Sequence, residues 1–132
     1  PEEPPLTEYR RTGEQHFLHI EYFRVPPRAD RELAAQPRRF LHKVFHTLSA
    51  AGNYFDVFSY PPETSYINAM SEPPPLPWSW LSELELEFFV SEYSRSGFTG
   101  GLNWYRSMDL KWEQRRPYEG VQSAVPAYFL GS

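Results

Sequence analysis

Apolar residues recur at intervals of three and four along two stretches of the chain, the spacing that places them on one face of an α-helix. The first stretch begins at Pro37, which suits the first turn of a helix, and ends before Gly52. The second begins at Ser82, which with Glu85 has the spacing of a capping box, and ends at Gly97. The apolar positions are Phe40, Leu41, Val44, Phe45 and Leu48 in the first stretch, and Leu84, Leu86, Phe88, Phe89, Val90 and Tyr93 in the second. The second set covers much of the helix circumference, which predicts burial on two sides.

Two further helices are predicted from shorter patterns. Residues 30–35 have a composition that favours a short helix. A last helix is expected to begin near Gly100 and Gly101 and to end at Pro117. The apolar residues on its broad face are Leu102, Tyr105 and Trp112. Together these segments predict a mainly α fold of about four helices.

Three stretches lack helical periodicity. Residues 1–15 are polar and contain prolines, so they are predicted to form a connecting tail. Residues 16–27 are rich in aromatic side chains and close with Pro26 and Pro27, which predicts an extended or turning segment. Residues 53–80 are interrupted by two runs of prolines and predict a long central loop, a flap or surface excursion.

The last segment, residues 121–132, has a different pattern. From Ala124 to Leu130 it is almost continuously apolar and runs into Gly131, which is typical of a strand covered on both faces of a parallel sheet. No other segment of the chain has this pattern. A single strand of this kind, in a chain that does not begin with methionine, leads us to expect that the chain was cut from a larger protein.

The composition fits one soluble domain and excludes several classes of protein. The chain has 132 residues, is 40% hydrophobic and carries a net charge of -4, without the basic stripe that nucleic-acid binding requires. It contains neither a candidate membrane span nor a signal-peptide pattern, so we expect a cytoplasmic protein. The absence of cysteine excludes disulfides and thiol nucleophiles. Aromatic residues make up 17% of the chain, more than a small core can bury, which predicts an apolar pocket or a partner surface.

The four histidines raise the question of a metal site. His42 and His46 are four residues apart on a predicted helix, and His16 and His19 are three apart upstream. No HExxH motif accompanies them and no cysteine is present, so neither a metal nor a cofactor is predicted.

The segment from Gly97 to Glu113 resembles the GF(T/R)G-x-(L/I/V)-N-(W/Y)-Y-R block of soluble epoxide hydrolases of the α/β-hydrolase fold. Three other segments resemble the same family, in the same order. They are the aromatic block at residues 22–27, the helix opening at residues 80–82 and the strand at residues 125–131. The resemblance covers about residues 16–131 and fails mainly in the loop 53–77.

The resemblance implies that residues 16–120 are the helical cap, or lid, of such an enzyme. Residues 1–15 would then be a connecting tail, and residues 121–132 would begin the α/β core. The family's aspartate nucleophile would lie before this chain, and its histidine and acid would lie after it. The parent enzyme would convert an epoxide to a diol, and this chain alone is expected to be inactive.

The resemblance also assigns the groups that hold the epoxide oxygen. Tyr105 matches the second of the family's two epoxide-binding tyrosines, and His19 stands at the position of the first. Either the histidine replaces that tyrosine, or the neighbouring Tyr22 turns inward. A neutral imidazole keeps one N–H donor, so the replacement is chemically sound. The expected wall residues of the pocket are Phe17, Phe23, Pro26 and Trp104.

The expected partners are a small epoxide and the α/β-hydrolase core of the parent chain. The sequence does not decide whether two copies also form a homodimer through the cap. No nucleic-acid partner and no membrane span are expected. Two alternatives remain. The first is the cap of a haloalkane or haloacid dehalogenase, against which the tyrosine-bearing block weighs. The second is a stand-alone helical interaction module that presents an aromatic face.

Overall fold

The structure, a computed structural model, describes residues 3–131 and is built from helices. The helices are α1 (Pro5–Gly13), α2 (His19–Arg24), α3 (Arg28–Ala35), α4 (Pro37–Thr47), α5 (Tyr66–Ala69), α6 (Glu83–Ser96), α7 (Thr99–Arg106) and α8 (Met108–Arg115). Two 3₁₀ turns lie at Tyr54–Ser59 and Arg116–Tyr118, and these described residues contain no strand. The prediction of a mainly α fold is confirmed. Pro1, Glu2 and Ser132, the outermost residues of the predicted tail and core segment, lie outside the described part.

The two helices with the clearest periodicity form where the pattern predicts them. Helix α4 begins at Pro37 and buries Phe40 and Leu41. Helix α6 has Ser82 as its N-cap, and the reciprocal hydrogen bonds of the capping box with Glu85 are both present. Gly97 ends α6 with a φ of 70°, a left-handed conformation that glycine adopts without a steric penalty. Helices α4 and α6 pack against each other and form one side of the domain.

The predicted burial of α6 on two sides is wrong within this chain. Leu86 is its one fully buried residue, whereas Leu84 is 83% exposed and Phe88 is 63% exposed. An apolar groove lies along this face, between α6 and Phe45 of α4. Within residues 3–131 the broad apolar pattern of α6 therefore has a partner, α4, on one side only.

Three helices form in segments that were predicted to be irregular. The predicted tail contains α1, which is held by a hydrogen bond from the Leu6 amide to Asp109 of α8 at 3.1 Å. Leu6 is its one large buried side chain, so no periodic pattern marks this helix in the sequence. The aromatic segment predicted to be extended contains α2, and the central loop contains α5. These additions, and a break at Ser107 that divides the last predicted helix into α7 and α8, raise the number of described α-helices from about four to eight.

The central segment is part of the core rather than a surface flap. Val57, Tyr66, Ile67 and Met70 are all buried. Lys43 of α4 is itself only 3% exposed, and its ammonium donates to the carbonyl oxygens of Ile67 and Met70, both at 2.9 Å. Because α5 has a single turn, its free carbonyl groups need such a donor. The prediction of a surface loop at residues 53–80 is wrong. The buried residues of this segment are covered by contacts with helices that are distant in the sequence, and the local spacing of apolar residues carries no information about such contacts.

The C-terminal segment is not a strand in this structure. Residues 121–131 follow the last 3₁₀ turn without regular structure, and Tyr128, Phe129 and Leu130 are each more than 90% exposed. A strand needs a neighbouring strand to satisfy its backbone groups, and the described residues offer none.

A helix that spans a membrane must meet requirements of both length and hydropathy. No helix between residues 3 and 131 meets both requirements.

Candidate functional site

Helices α2 and α7 pack against each other and bring the two predicted donors together. The imidazole of His19 and the phenol of Tyr105 meet edge to face, with ring centroids 5.7 Å apart. The two residues are 86 positions apart in the sequence, so their proximity is a product of the tertiary fold. Both side chains are partly buried, which leaves part of each open to solvent.

Two further tyrosines surround His19, and neither was singled out from the sequence. The Tyr54 hydroxyl is hydrogen-bonded to His19 Nδ1, and the two rings lie 5.3 Å apart. The ring of Tyr66 in α5 also stacks on the imidazole. The two rings are nearly parallel and their centroids are 6.1 Å apart. We call His19, Tyr54, Tyr66 and Tyr105 the imidazole–phenol cluster. The only sequence signal for the two added tyrosines was the high aromatic content of a segment that lacked periodicity.

Three groups of the cluster, His19, Tyr54 and Tyr66, are uncharged at neutral pH. Burial lowers the pKa of His19 to about 4, so the imidazole is neutral and carries one N–H. Burial also raises the pKa of Tyr54 to about 12, and it raises that of Tyr66 further. For both phenols the proximity of Tyr105 adds to the effect. These three groups are therefore neutral hydrogen-bonding groups instead of ionised ones.

Three groups of the cluster have no hydrogen-bond partner within residues 3–131, and the Tyr66 hydroxyl is one of them. The Tyr105 hydroxyl forms no hydrogen bond with the rest of the described chain, and the Nε2 atom of His19 forms none either. Partly buried polar groups are normally satisfied by protein, water or ligand. These groups are therefore available to water or to a ligand.

The alternative first donor, Tyr22, points elsewhere. Its ring is buried, and its hydroxyl donates to Glu32 of α3 at 2.7 Å. Burial and this hydrogen bond raise the pKa of Tyr22, while Arg28 lies over its ring at 5.1 Å. The Tyr22 hydroxyl is therefore committed to Glu32, whereas the His19 ring packs against Tyr105.

Two of the four predicted wall residues lie against the cluster. Phe23 packs on both donors, with ring centroids 5.0 Å from Tyr105 and 5.8 Å from His19. Phe17 is fully buried and stacks on Tyr66 at 5.5 Å, so it supports the cluster from behind. These two rings keep the donors in an apolar surrounding.

The other two predicted wall residues are exposed. Pro26 lies just beyond the end of α2 at the surface. Trp104 is 69% exposed and faces a groove beside Pro5 and Met108, with the Lys111 ammonium 3.3 Å from its ring centroid. Adjacent helix residues differ in direction by about 100°, so Trp104 is turned away when Tyr105 faces His19.

An ion pair anchors the helix that carries Tyr105. Arg106 donates to both carboxylate oxygens of Asp30 in α3, at 2.5 and 3.2 Å, and to the carbonyl oxygen of Phe23 at 3.1 Å. Thr99 at the start of α7 also donates to Asp30, at 2.7 Å. Arg106 therefore joins α7 to α2 and α3 at once, next to Tyr105.

Acid is expected to destabilise the fold over two ranges of pH. The folded pKa of His19 is about 4 against an ordinary 6.5, so the unfolded chain binds a proton more readily and the free energy of unfolding falls between about pH 6.5 and 4. His42, whose pKa burial also lowers, adds to this loss. Hydrogen bonds from Arg106, helped by Thr99, lower the pKa of Asp30 from 3.8 to about 2, which gives a second loss between about pH 4 and 2.

Urea unfolding of the chain across this pH range measures both losses. Asp30→Asn should remove the lower one, which we expect to be about 1 kcal/mol after solvent screening. His19→Phe should reduce the upper one. A free energy of unfolding that stays constant from pH 7 to about 4 would contradict the neutral, buried state of His19.

The remaining histidines do not form a metal site. Among residues 3–131, no group of three or more histidine, aspartate or glutamate side chains is arranged to hold an ion. His42 and His46 instead pack against the ring of Trp78, at 5.1 and 5.5 Å.

Comparison with known proteins places this arrangement in a known class. No family model matches the chain. Over 129 residues it is 35% identical to epoxide hydrolase A of Mycobacterium tuberculosis, a match that covers 96% of the chain and 40% of that protein. Among solved structures it matches epoxide hydrolase A of Mycobacterium thermoresistibile with a TM-score of 0.84 and 35% identity, over 96% of the chain and 40% of that structure. An epoxide hydrolase from an endophytic Streptomyces matches with a TM-score of 0.80 and 31% identity, over 90% and 37%.

The fold is a mainly α-helical domain, consistent with the cap domains of α/β-hydrolases. By sequence and by fold the chain is homologous to epoxide hydrolases and matches their cap domain. It spans about two fifths of the length of these relatives.

Proposed function

We propose that this chain is the cap of a longer epoxide hydrolase, in which Tyr105 and His19 donate hydrogen bonds to the epoxide oxygen. The observation that carries the proposal is the pair of hydrogen-bonding groups, Tyr105 Oη and His19 Nε2, that have no partner within residues 3–131 while their rings lie 5.7 Å apart. The 35% identity to epoxide hydrolase A over 96% of the chain supports it.

The chemistry of ring opening explains why two donors are needed. Attack by a carboxylate on an epoxide carbon breaks a carbon–oxygen bond and develops an alkoxide. In an apolar pocket an unpaired alkoxide would cost many kcal/mol, so donors aimed at that oxygen lower the barrier as the charge forms. A phenol has an ordinary pKa near 10, which keeps it protonated at neutral pH yet lets it transfer its proton to the more basic alkoxide.

The rest of the catalytic machinery would come from outside this chain. In the proposed enzyme an aspartate on a strand-to-helix elbow attacks the ring, and a histidine with an acidic partner activates the water that hydrolyses the resulting ester. Residues 16–120 would form the cap, with α1 packed on α2 and α8, and residues 121–132 would enter the core as a strand. The exposed apolar side chains of Tyr128, Phe129 and Leu130 support that arrangement, since a core strand would bury them. The isolated chain should bind an epoxide weakly and turn over none.

Substrate comparison tests the proposed reaction against the dehalogenase alternative. The complete protein that contains this chain should hydrolyse styrene oxide to its diol and should release no bromide from a bromoalkane. The Tyr105 hydroxyl favours this outcome, because a phenol can give its proton to an alkoxide while a leaving halide needs none. Release of bromide without diol formation would overturn the proposal.

Replacing His19 tests the second donor. In the complete protein we expect His19→Phe to slow ring opening by about 10–100-fold, because it removes one of two hydrogen bonds to the developing alkoxide while it keeps an aromatic ring in the same place. Single-turnover kinetics with styrene oxide measure this step directly. His46→Phe, which alters a histidine packed on Trp78, is the matched control and should leave the rate near that of the parent. Equal rates for the two variants would remove His19 from the mechanism.

A further inference from the structure

The hydrogen bond between His19 and Tyr54 joins the proposed donor to a distant part of the chain. Tyr54 opens the 3₁₀ turn Tyr54–Ser59, 35 residues after His19, and its hydroxyl lies against Nδ1 of the imidazole. The turn is held by Asn53, whose side chain accepts from the Phe55 amide, and the Tyr54 ring packs against Phe58 at 5.6 Å. Tyr54 is thus itself fixed in place by local contacts.

The imidazole has little freedom to turn away from this partner. Tyr66 stacks on it nearly parallel, at 6.1 Å, while Phe23 and Tyr105 meet it at steep angles, at 5.8 and 5.7 Å. Rings on several sides restrict rotation about the bond between Cβ and the ring. With Nδ1 committed to Tyr54, Nε2 is the nitrogen left without a partner among residues 3–131.

The direction of this hydrogen bond decides what Nε2 can do. A neutral imidazole carries its proton on one nitrogen and a lone pair on the other. If the Tyr54 hydroxyl donates, Nδ1 accepts and the proton lies on Nε2. If Nδ1 donates instead, Nε2 offers a lone pair, which repels a ligand oxygen. A phenol O–H is a stronger acid than a neutral imidazole N–H, so the arrangement in which the phenol donates is favoured.

We propose that Tyr54 is a positioning residue that donates its hydroxyl hydrogen to Nδ1 of His19 and thereby holds the imidazole as the Nε2–H tautomer, with its donor free for a ligand oxygen. The use of that donor on an epoxide rests on the proposed function, whereas the tautomer itself does not. The low pKa of His19 supports the assignment, because the ring stays neutral over the working range of pH. Tyr54 acts through His19 and has no direct contact with the reacting atoms in this proposal.

Nitrogen NMR of the labelled chain measures the tautomer directly. At neutral pH we expect the His19 signals of a single neutral form, protonated at Nε2 and bare at Nδ1. In Tyr54→Phe, which removes only the hydroxyl, we expect a mixture of the two tautomers. Tyr60→Phe, a half-exposed tyrosine just past the same turn, is the matched control and should keep the single form. A wild-type His19 protonated at Nδ1, or a Tyr54→Phe variant with an unchanged tautomer, would overturn the proposal.

Kinetics of the complete protein separate this proposal from the proposed function. We expect Tyr54→Phe to slow ring opening by about 10-fold, in keeping with the loss of a group that orients a functional histidine, and Tyr60→Phe to leave it unchanged. If His19→Phe and Tyr105→Phe both open epoxides at the parent rate while NMR shows the Nε2–H form, the proposed function fails and the role of Tyr54 stands. If those two variants are slow and NMR shows a proton on Nδ1, the role of Tyr54 fails and the proposed function stands.

Discussion

In the complete epoxide hydrolase that we propose, Tyr105→Phe is expected to slow the opening of styrene oxide by about 10²–10³-fold, the range found when one donor to a developing oxyanion is removed. The change deletes a single hydroxyl, which has no hydrogen-bond partner within residues 3–131. It keeps the ring that packs on Phe23 and His19. The loss should therefore appear in the alkylation step and not in the stability of the fold.

Single-turnover formation of the ester intermediate, together with urea unfolding, measures the two effects separately. Tyr118→Phe is the matched control, because Tyr118 is an exposed phenol of the same domain. An alkylation rate within twofold of the parent enzyme would remove Tyr105 from the mechanism.

The combination of Tyr105→Phe with His19→Phe refines this result. Two donors to the same oxygen act as a unit, so the double variant should lose less than the product of the two single losses. Fully multiplicative losses would show that His19 and Tyr105 act at different places.

The largest expected effect on stability belongs to Arg106→Met. The substitution keeps much of the length of the side chain but removes the guanidinium that donates to Asp30 and to the Phe23 carbonyl. Both partners of the ion pair are less than one fifth exposed, so the orphaned carboxylate is poorly hydrated. We expect the free energy of unfolding to fall by about 2–3 kcal/mol, and epoxide opening in the complete enzyme to fall with it, because α7 loses its attachment beside Tyr105.

Urea unfolding of the variant at neutral pH measures this loss. Arg95→Met is the matched control, since Arg95 pairs with Glu92 at the surface and its loss should leave the free energy of unfolding nearly unchanged. Asp30→Asn introduced into Arg106→Met removes the unpaired charge and should restore part of the stability. If Arg106→Met costs no more than the surface control, the anchoring role is wrong.

The sequence determined the elements whose signals are local. The amphipathic spacing from Pro37, and the capping box formed by Ser82 and Glu85, predicted α4 and α6 because such signals lie within one or two helical turns. The block around Tyr105 also indicated the resemblance to epoxide hydrolases, which the comparisons confirm, and predicted one donor. A short motif carries this information by itself, whatever surrounds it in the fold.

Only the tertiary structure decided which groups meet at the site. Tyr54 and Tyr66 reach His19 from a segment without periodicity, and α5 is held by Lys43 from a different helix. The sequence placed His19 at the position of the first donor and left Tyr22 as the alternative, and only the structure showed that the Tyr22 hydroxyl donates to Glu32. Burial and hydrogen bonding between residues dozens of positions apart depend on how helices pack, and no local spacing rule contains that information. For the same reason the exposed side of α6 could not be foreseen, because a helical pattern records where apolar residues point but not whether a partner is there to cover them.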